Sequence, residues 1–447
     1  MKRPLLFLSA LLLAVACTSG SDDDRMRPAD AALLHEAVDN LTSVIVYDIL
    51  NPPQASRVYA YASIAAYEAL RPGYPQQRSL AGQLKGLTPV PAPDSGAEYY
   101  LPLSSVHAFM TVGRAMTFSR GRMDSLRTAL EQRIRGTGIP GPVIERSIAY
   151  GDTVAQHILA WAAGDHYLQI RGYPKYTVTA AASRWRPTPP AYMDGVEPHW
   201  NAIRPFVLDS ASQFRPKAPQ RFDMKAGSPF YRQVLEVYET GKALTEEQRA
   251  IAAFWDCNPY VMHVQGHTMF ATKKITPGGH WMGIAGVASR KVNADMMRSA
   301  EAYARTAIAL ADAFLSVWDE KYRSNLVRPE TVINAYLDER WEPLLQTPPF
   351  PEYTSGHSGI STAAATVLTD VFGDGFAFTD SVEIAYGLPP RSFTSFKQAG
   401  AEAAISRLYG GIHYRMAIEE GIAQGRGVGE LVIRRVRTRA SASVASH

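Results

Sequence analysis

From about Ala29 onward, apolar residues recur at spacings of three and four along most of the chain, the pattern of helices that bury one face. Ala31 to Leu50 and Ala55 to Leu70 carry it first, divided by the breaker Asn51-Pro52-Pro53. Arg71 to Asp94 is rich in Gly and Pro and predicts a loop. The periodicity returns over Ser104 to Phe118, Met123 to Arg135 and Pro142 to Ala163, with Gly136 to Pro140 separating the last two. Tyr167 to Phe230 breaks it: prolines and aromatics are frequent, and the stretch predicts a long ordered segment wrapping the body. Such a length without regular structure is uncommon in a compact domain, so the stretch is either functional or holds elements that the pattern does not show. Helices are predicted again from Pro229 to Glu239, from the cap Thr245 to about Trp255, from Trp281 to Val292 and from Ala294 to Asp319 or beyond. Asp256 to His267 and a Pro277-Gly278-Gly279 turn lie between them, and the small-residue run Ile360 to Leu368 predicts a buried helix. Neither strand alternation nor an internal repeat emerges, so the fold class is all-α, a helical bundle.

Composition leaves this picture unchanged. The chain has 447 residues, 46% hydrophobic, 20% charged and 10% aromatic, enough for one large domain or two. The formal net charge is only +4, with no dense basic run outside Arg434 to Arg439, which argues against nucleic-acid binding. Lys2 and Arg3 precede an apolar run, Leu5 to Ala16, that is short for a membrane span and has the charged start of a secretory signal. Leu13-Ala14-Val15-Ala16-Cys17 resembles the cleavage box of bacterial lipoproteins, although Ala14 stands where leucine is commoner. The polar, acidic stretch after Cys17, Thr18 to Asp24, is similar to the surface-export tag of some such lipoproteins. These features predict a signal peptide over 1–17, lipidation at Cys17, an acidic tether over 18–28 and anchoring to the cell envelope through lipid alone; a plain cleaved signal peptide with an incidental cysteine is the alternative. With Cys17 consumed, Cys257 is unpaired and predicted to be a buried thiol.

Three stretches carry chemistry. In Phe350 to Gly359, a proline- and glycine-marked turn brings Ser355, Gly356 and His357 to a helix start, where free N–H groups and the dipole favour an anion. The same residues also suit a plain helix cap. Upstream, Lys321 and Arg328 stand seven apart, two helical turns, with Pro329 predicted to end that helix. Two cations on one face suit a tetrahedral oxyanion, and also suit a solvated stripe. Downstream, Arg407 precedes His413 by six residues, and Gly410-Gly411 between them allows close backbone approach to a ligand or a bend that makes the two side chains converge. His263 and His267 have metal-ligand spacing if helical, but no evident third ligand. His280, in a Gly-Gly-His-Trp turn, is a further candidate to line a pocket.

Together the motifs K-x6-R-P, S-G-H and S-R-x5-H, met by Lys321/Arg328/Pro329, Ser355/Gly356/His357 and Ser406/Arg407/His413, resemble the superfamily of vanadium-dependent haloperoxidases and type 2 phosphatidic acid phosphatases. Thr354 replaces a proline of that pattern. The resemblance implies an all-α bundle of the vanadium haloperoxidase / acid phosphatase type. It assigns Lys321, Arg328, Arg407, Ser355 and Gly356 to the oxygens of vanadate or phosphate. His413 becomes the apical vanadium ligand or a phosphohistidine nucleophile, and His357 the acid–base residue. Pattern and motif placement divide the chain into an N-terminal helical and wrapping region over 29–240, a catalytic region over 241–437 and a flexible tail over 438–447. Within that resemblance, chain length, Trp318 one turn before Lys321 and Phe350 five residues before Ser355 favour a peroxidase acting on hydrogen peroxide and halide, because family members carry a tryptophan and a phenylalanine at these offsets beside the halide; core packing is the alternative role for both. The alternatives are a soluble phosphatase and a non-catalytic anion-binding lipoprotein. The phosphatases place an aspartate four residues after the histidine, where this chain has Ala417; Asp256, Glu419 and Glu420 are the other carboxylates considered for orienting that ring or Arg407.

Overall fold

The structure, a computed structural model, describes residues 29–439; the predicted signal peptide with Cys17, the acidic tether and residues 440–447 lie outside the described residues. Among the described residues the chain is helical, as the periodicity predicts. The first group comprises α1 (Ala29–Tyr47), α2 (Pro52–Leu70), α3 (Leu101–Met116), α4 (Arg120–Arg135), α5 (Gly141–Ala163) and the short α6 (Tyr167–Ile170). The second comprises α7 (Pro229–Lys242), α8 (Glu246–Phe254), α9 (Pro277–Lys291), α10 (Met296–Ser324), α11 (Pro329–Tyr336), α12 (Gly356–Phe372), α13 (Phe396–Tyr409) and α14 (Arg415–Arg435). Two small antiparallel sheets pair β1 (Val261–Gln265) with β2 (Thr268–Thr272) and β3 (Phe378–Asp380) with β4 (Arg391–Phe393). Among the described residues no helix is long and apolar enough to cross a membrane.

The helix starts follow local chemistry. Asn51 accepts a hydrogen bond from Gln54 N, with Pro52 and Pro53 in the first turn of α2, so the breaker also opens the next helix. Thr245 and Gln248 form a capping box on α8. Asp295 caps α10, and Asn325 ends it in the left-handed region at φ 50°.

Helix α10 is the axis of the fold, packing against α1, α2, α9, α12 and α14. One apolar core runs from Ala31 to Val436 through both helix groups. A smaller cluster, with Phe230, Val234, Val332, Leu408 and Tyr414, joins α7 and α11 to the start of α14.

The stretch predicted to wrap the body does so, and hydrogen bonds hold it. Asp312, buried in α10, accepts from Phe206 N at 2.8 Å, Val207 N at 2.7 Å and Leu208 N at 2.9 Å. The Val196 carbonyl accepts from Trp318 Nε1 at 3.1 Å and Tyr322 Oη at 2.7 Å. These contacts tie the segment to the last turns of α10, beside the cations named above. At the other end, Thr438 and Arg439, expected in a flexible tail, bond to Glu301 at 2.6 and 3.2 Å.

Several local expectations are corrected. Arg328 does not continue the helix of Lys321: Asn325 turns the chain, and Pro329, with its fixed φ and missing N–H, starts α11. Pro277-Gly278-Gly279 is the first turn of α9, capped by Thr276, so His280 lies on a helix. His263 lies on β1 and His267 in the β1–β2 turn, both exposed, so they share no helical face. His263 Nε2 instead meets Thr272 Oγ1 at 2.8 Å, and its ring stacks on Phe270.

Candidate active site

The last turn of α10, the segment 350–357 and the bend between α13 and α14 meet at one cavity. Its wall includes Trp318, Phe350, Gly356, His357, Arg407, Ile412 and His413, together with Cys257, Asn258, Tyr260 and Gln346 from segments that the motifs do not cover. Its free volume is about 30 Å³. That is room for roughly two waters, and so for small reactants.

The bend is set by Gly411 at φ 75°. A Cβ on Gly410 would meet Leu345 Cδ1 at 2.7 Å, and one on Gly411 would meet Pro343 Cβ and Trp341 Cη2 at 3.1 Å. The diglycine thus makes room for the 341–345 segment while Arg407 and His413 converge on the cavity.

His413 is fixed from both sides. Its Nδ1 lies 2.8 Å from Glu352 Oε1, which also accepts from Tyr414 N at 3.0 Å. Its Nε2 lies 3.1 Å from Arg328 Nη1. A proton held on Nδ1 by the carboxylate leaves the Nε2 lone pair as an acceptor or ligand. Burial, then Arg328, Lys321 and Arg407, hold the imidazole well below its ordinary pKa. Burial raises the Glu352 carboxyl to about 7 against the pull of Arg328 and Lys321. Glu352 therefore supplies the carboxylate sought after His413. The only sequence signal was its place in the Phe350–Gly359 stretch, because nothing local pairs residues 61 apart. Ala417 instead gives its carbonyl to Ser355 N at 3.0 Å, Asp256 pairs with Lys274 at 2.5 Å, and Glu420 accepts from Lys217 N at 3.1 Å.

Arg328 is buried, with Nε on the Phe350 carbonyl at 2.9 Å, Nη1 on the Ile412 carbonyl at 2.9 Å, and Nη2 without a hydrogen-bond partner. Arg407 gives Nη2 to the Trp255 carbonyl at 2.8 Å and Nε to Ser406 Oγ at 2.9 Å. Lys321 differs from expectation. All three ammonium donors are taken by the carbonyls of Pro351 (3.0 Å), Glu352 (3.1 Å) and Thr354 (2.6 Å). Lys321 clamps the loop before α12 and reaches the cavity through its field; burial and then Arg328 push its pKa well down.

Ser355 caps α12, its Oγ accepting from Ser358 Oγ at 2.8 Å and Ser358 N at 3.3 Å, which leaves its own proton free. Gly356 opens the helix, and His357 Nε2 has no hydrogen-bond partner. Burial, then Arg407 and His280, keep His357 well below its ordinary pKa, so it is neutral at pH 7. The Trp318 and Phe350 rings meet at 4.9 Å between centroids, and Trp318 Nε1 is satisfied by the Val196 carbonyl, so the wall they form is apolar. The structure thus brings Gly356, His357, Arg407, His413, Trp318 and Phe350 to the cavity wall, with Lys321, Arg328 and Ser355 behind it. His280 does not line the cavity. It stacks on Trp255 and pairs with Asp380 and Glu383.

A family model described as the VCPO second helical-bundle domain matches residues 301–442. Of solved structures, "the first bacterial vanadium dependant iodoperoxidase" is 51% identical, with a TM-score of 0.87 over 92% of this chain and 98% of that one. The holo- and apo-type bacterial vanadium-dependent chloroperoxidases share the fold at 18% and 17% identity. Their TM-scores are 0.67 and 0.65, each over 87% of this chain and over 93% and 95% of theirs. No curated protein matches the chain.

Proposed function

The chain belongs to the vanadium-dependent haloperoxidases, and on that basis we propose that iodide is its preferred halide, oxidised by hydrogen peroxide as I⁻ + H2O2 + H⁺ → HOI + H2O. Vanadate, when bound, supplies a Lewis-acidic centre that polarises peroxide while keeping its own oxidation state. The observation that carries the site assignment is a pair of buried polar atoms without partners, Arg328 Nη2 and His357 Nε2, beside a neutral His413 whose Nδ1 is occupied by Glu352. A protonated oxyanion or peroxide would accept from Arg328 Nη2 and donate to His357 Nε2, and an imidazole with its proton fixed on Nδ1 offers Nε2 as the ligand.

In this reading Arg328, Arg407, the Gly356 N–H and the Ser355 hydroxyl bind the oxygens, and Lys321 adds charge from behind the loop. Their fixed donors need no reorganisation as negative charge moves among the oxygens. His357, neutral at pH 7, takes the proton of incoming peroxide at Nε2 and returns it as the halide is oxidised. Trp318 and Phe350 keep the halide side dry, which favours a large, weakly hydrated anion. The small cavity suits peroxide and a halide ion better than a bulky organic substrate. The iodide preference rests on the 51% identity to the iodoperoxidase.

The test is a peroxide-dependent assay of the metal-stripped protein with iodide, bromide and chloride, before and after orthovanadate. Activity should appear only with vanadate, with the highest kcat/KM for iodide. Absence of vanadate-dependent oxidation of every halide would sink the site assignment, and equal or faster bromide turnover would sink the preference.

We also propose export and lipid anchoring at Cys17, supported by the charged, apolar and small-residue order of residues 2–17. Palmitate labelling in a lipoprotein-processing bacterial host should be lost in Cys17→Ser. Equal labelling of that variant would refute it.

A further inference from the structure

Beside the active cavity, three metal-ligating side chains from distant parts of the chain converge out of solvent: Cys257, His280 and Glu383. His280 Nδ1 lies 3.3 Å from Cys257 Sγ and 3.0 Å from Glu383 Oε1, and the sulfur lies 3.7 Å from that oxygen. We propose that these residues form a second metal site, selective for zinc-type divalent cations, that adjoins the vanadate cavity through Cys257.

The geometry carries the proposal. Tetrahedral zinc, with bonds of about 2.3 Å to sulfur, about 2.1 Å to nitrogen and about 2.0 Å to oxygen, sets ligand–ligand edges of about 3.5 Å for S–N and S–O and about 3.3 Å for N–O. The three observed separations fall within about 0.4 Å of those edges. A single ring nitrogen, with one proton or one lone pair, faces both a thiol and a carboxylate. A cation placed between them would satisfy all three at once. On the other side of the ring, His280 Nε2 meets the buried Asp380 Oδ2 at 2.8 Å. A carboxylate on the second nitrogen is the arrangement that fixes a metal-bound histidine and raises its basicity. The mixed thiolate, imidazole and carboxylate set suits zinc and disfavours magnesium or calcium, which take oxygen ligands. Glu383 also lines a surface cleft with Asp256, Lys274 and Tyr386, a route for the ion and for a solvent molecule in the fourth position.

The site would join α9, through His280, to the chain after α8, through Cys257, and to the turn after β3, through Glu383. Trp255, two residues before Cys257, gives its carbonyl to Arg407. The metal would thus act as a clip that positions Arg407 without touching substrate. Binding deprotonates the thiol and displaces the proton on His280 Nδ1, so uptake should strengthen as pH rises.

The test uses the full chain carrying Cys17→Ser, so that Cys257 is the sole thiol, with and without orthovanadate. After equilibration with Zn²⁺ and desalting, one zinc per chain should remain by elemental analysis, and Tm should rise. The Co²⁺ form should show a thiolate-to-cobalt charge-transfer band. Cys257→Ser should abolish that band, and Asp380→Asn, which keeps all three donors, should retain it while weakening affinity about 10- to 100-fold. Where Cys257→Ser fails to fold, the parent chain's own cobalt band and the Asp380→Asn affinity decide. A chain that retains no zinc, a cobalt spectrum without a thiolate band, or zinc retention unaffected by both substitutions would overturn the proposal.

Discussion

Replacing His413 by alanine is expected to abolish vanadate-dependent halide oxidation and to weaken vanadate binding by more than about 100-fold, because changing a partner that merely orients a metal ligand already costs about 10- to 100-fold. His413 Nε2 would be the ligand to vanadium, while Arg328, Arg407 and the α12 N-terminus would hold only oxygens. The variant should keep weak, salt-sensitive affinity for phosphate or vanadate, since those cations remain buried around the cavity. Glu352→Gln is the graded companion. Its amide oxygen can still accept from His413 Nδ1, but the charge that fixes the tautomer is gone, so affinity should fall by about 10- to 100-fold. The two also differ in pH dependence. The Glu352 carboxyl sits at about 7, above its ordinary value, so it protonates as pH falls through that point and ceases to hold the proton on Nδ1. Wild-type vanadate affinity should therefore weaken from pH 8 to pH 6, whereas Glu352→Gln should show a flatter profile. Titration of vanadate by calorimetry reads both. Affinity in His413→Ala within a few-fold of wild type would remove the histidine from the vanadium site.

How much of this was legible in the sequence depends on the range of the contact involved. Ser355, Gly356 and His357 could be placed at a helix start because proline, serine and glycine act on their own backbone. The convergence of Arg407 and His413 could be read from the diglycine between them. Lys321 was legible as a cation suited to an oxyanion, but its burial was not, because the three carbonyls that saturate it come from residues 30 to 33 positions away. Glu352 and the Cys257–His280–Glu383 cluster belong to the same class, since their partners come from distant segments that only tertiary packing brings together. The β1–β2 hairpin escaped because it is largely exposed, so its residues do not alternate between core and solvent. The wrapping segment has no period because side chains such as Asp312 hold its main chain, not a repeating apolar face. Its presence could be read from composition, but its attachment to α10 could not.

The substitution expected to damage the fold most is Gly425→Ala. Along α14, Gly421, Gly425 and Gly429 recur every four residues and form a stripe against α12. A Cβ on Gly421 would meet the Ser355 carbonyl oxygen and Ser358 Cβ at 2.9 Å, and one on Gly429 would meet Thr366 Cβ at 2.8 Å. At Gly425 the collision is with main chain. The added carbon would overlap the Gly359 carbonyl oxygen and lie 2.8 Å from the Gly359 carbonyl carbon and 3.0 Å from its Cα. No rotamer relieves a clash between two backbones, so α12 and α14 must separate. The gain in helix propensity from glycine to alanine is about 1 kcal/mol, whereas overpacking a tight core costs about 1–3 kcal/mol and more where main chain must move. The balance is a net loss of up to about 2 kcal/mol, and more because here main chain must move. It also reaches the site, because α12 carries Gly356 and His357 at its first turn and α14 begins two residues after His413. The Ser355 N to Ala417 O bond at 3.0 Å joins the two helices there. Gly425→Ala should therefore lower the urea midpoint and weaken vanadate binding together. Gly121→Ala, on the exposed face of α4 with nothing within 4 Å of the new carbon, should leave both unchanged or raise stability slightly. Wild-type or higher stability in Gly425→Ala would mean that α12 and α14 do not meet backbone to backbone, and that the small-residue stripe does not set the spacing between His357 and His413.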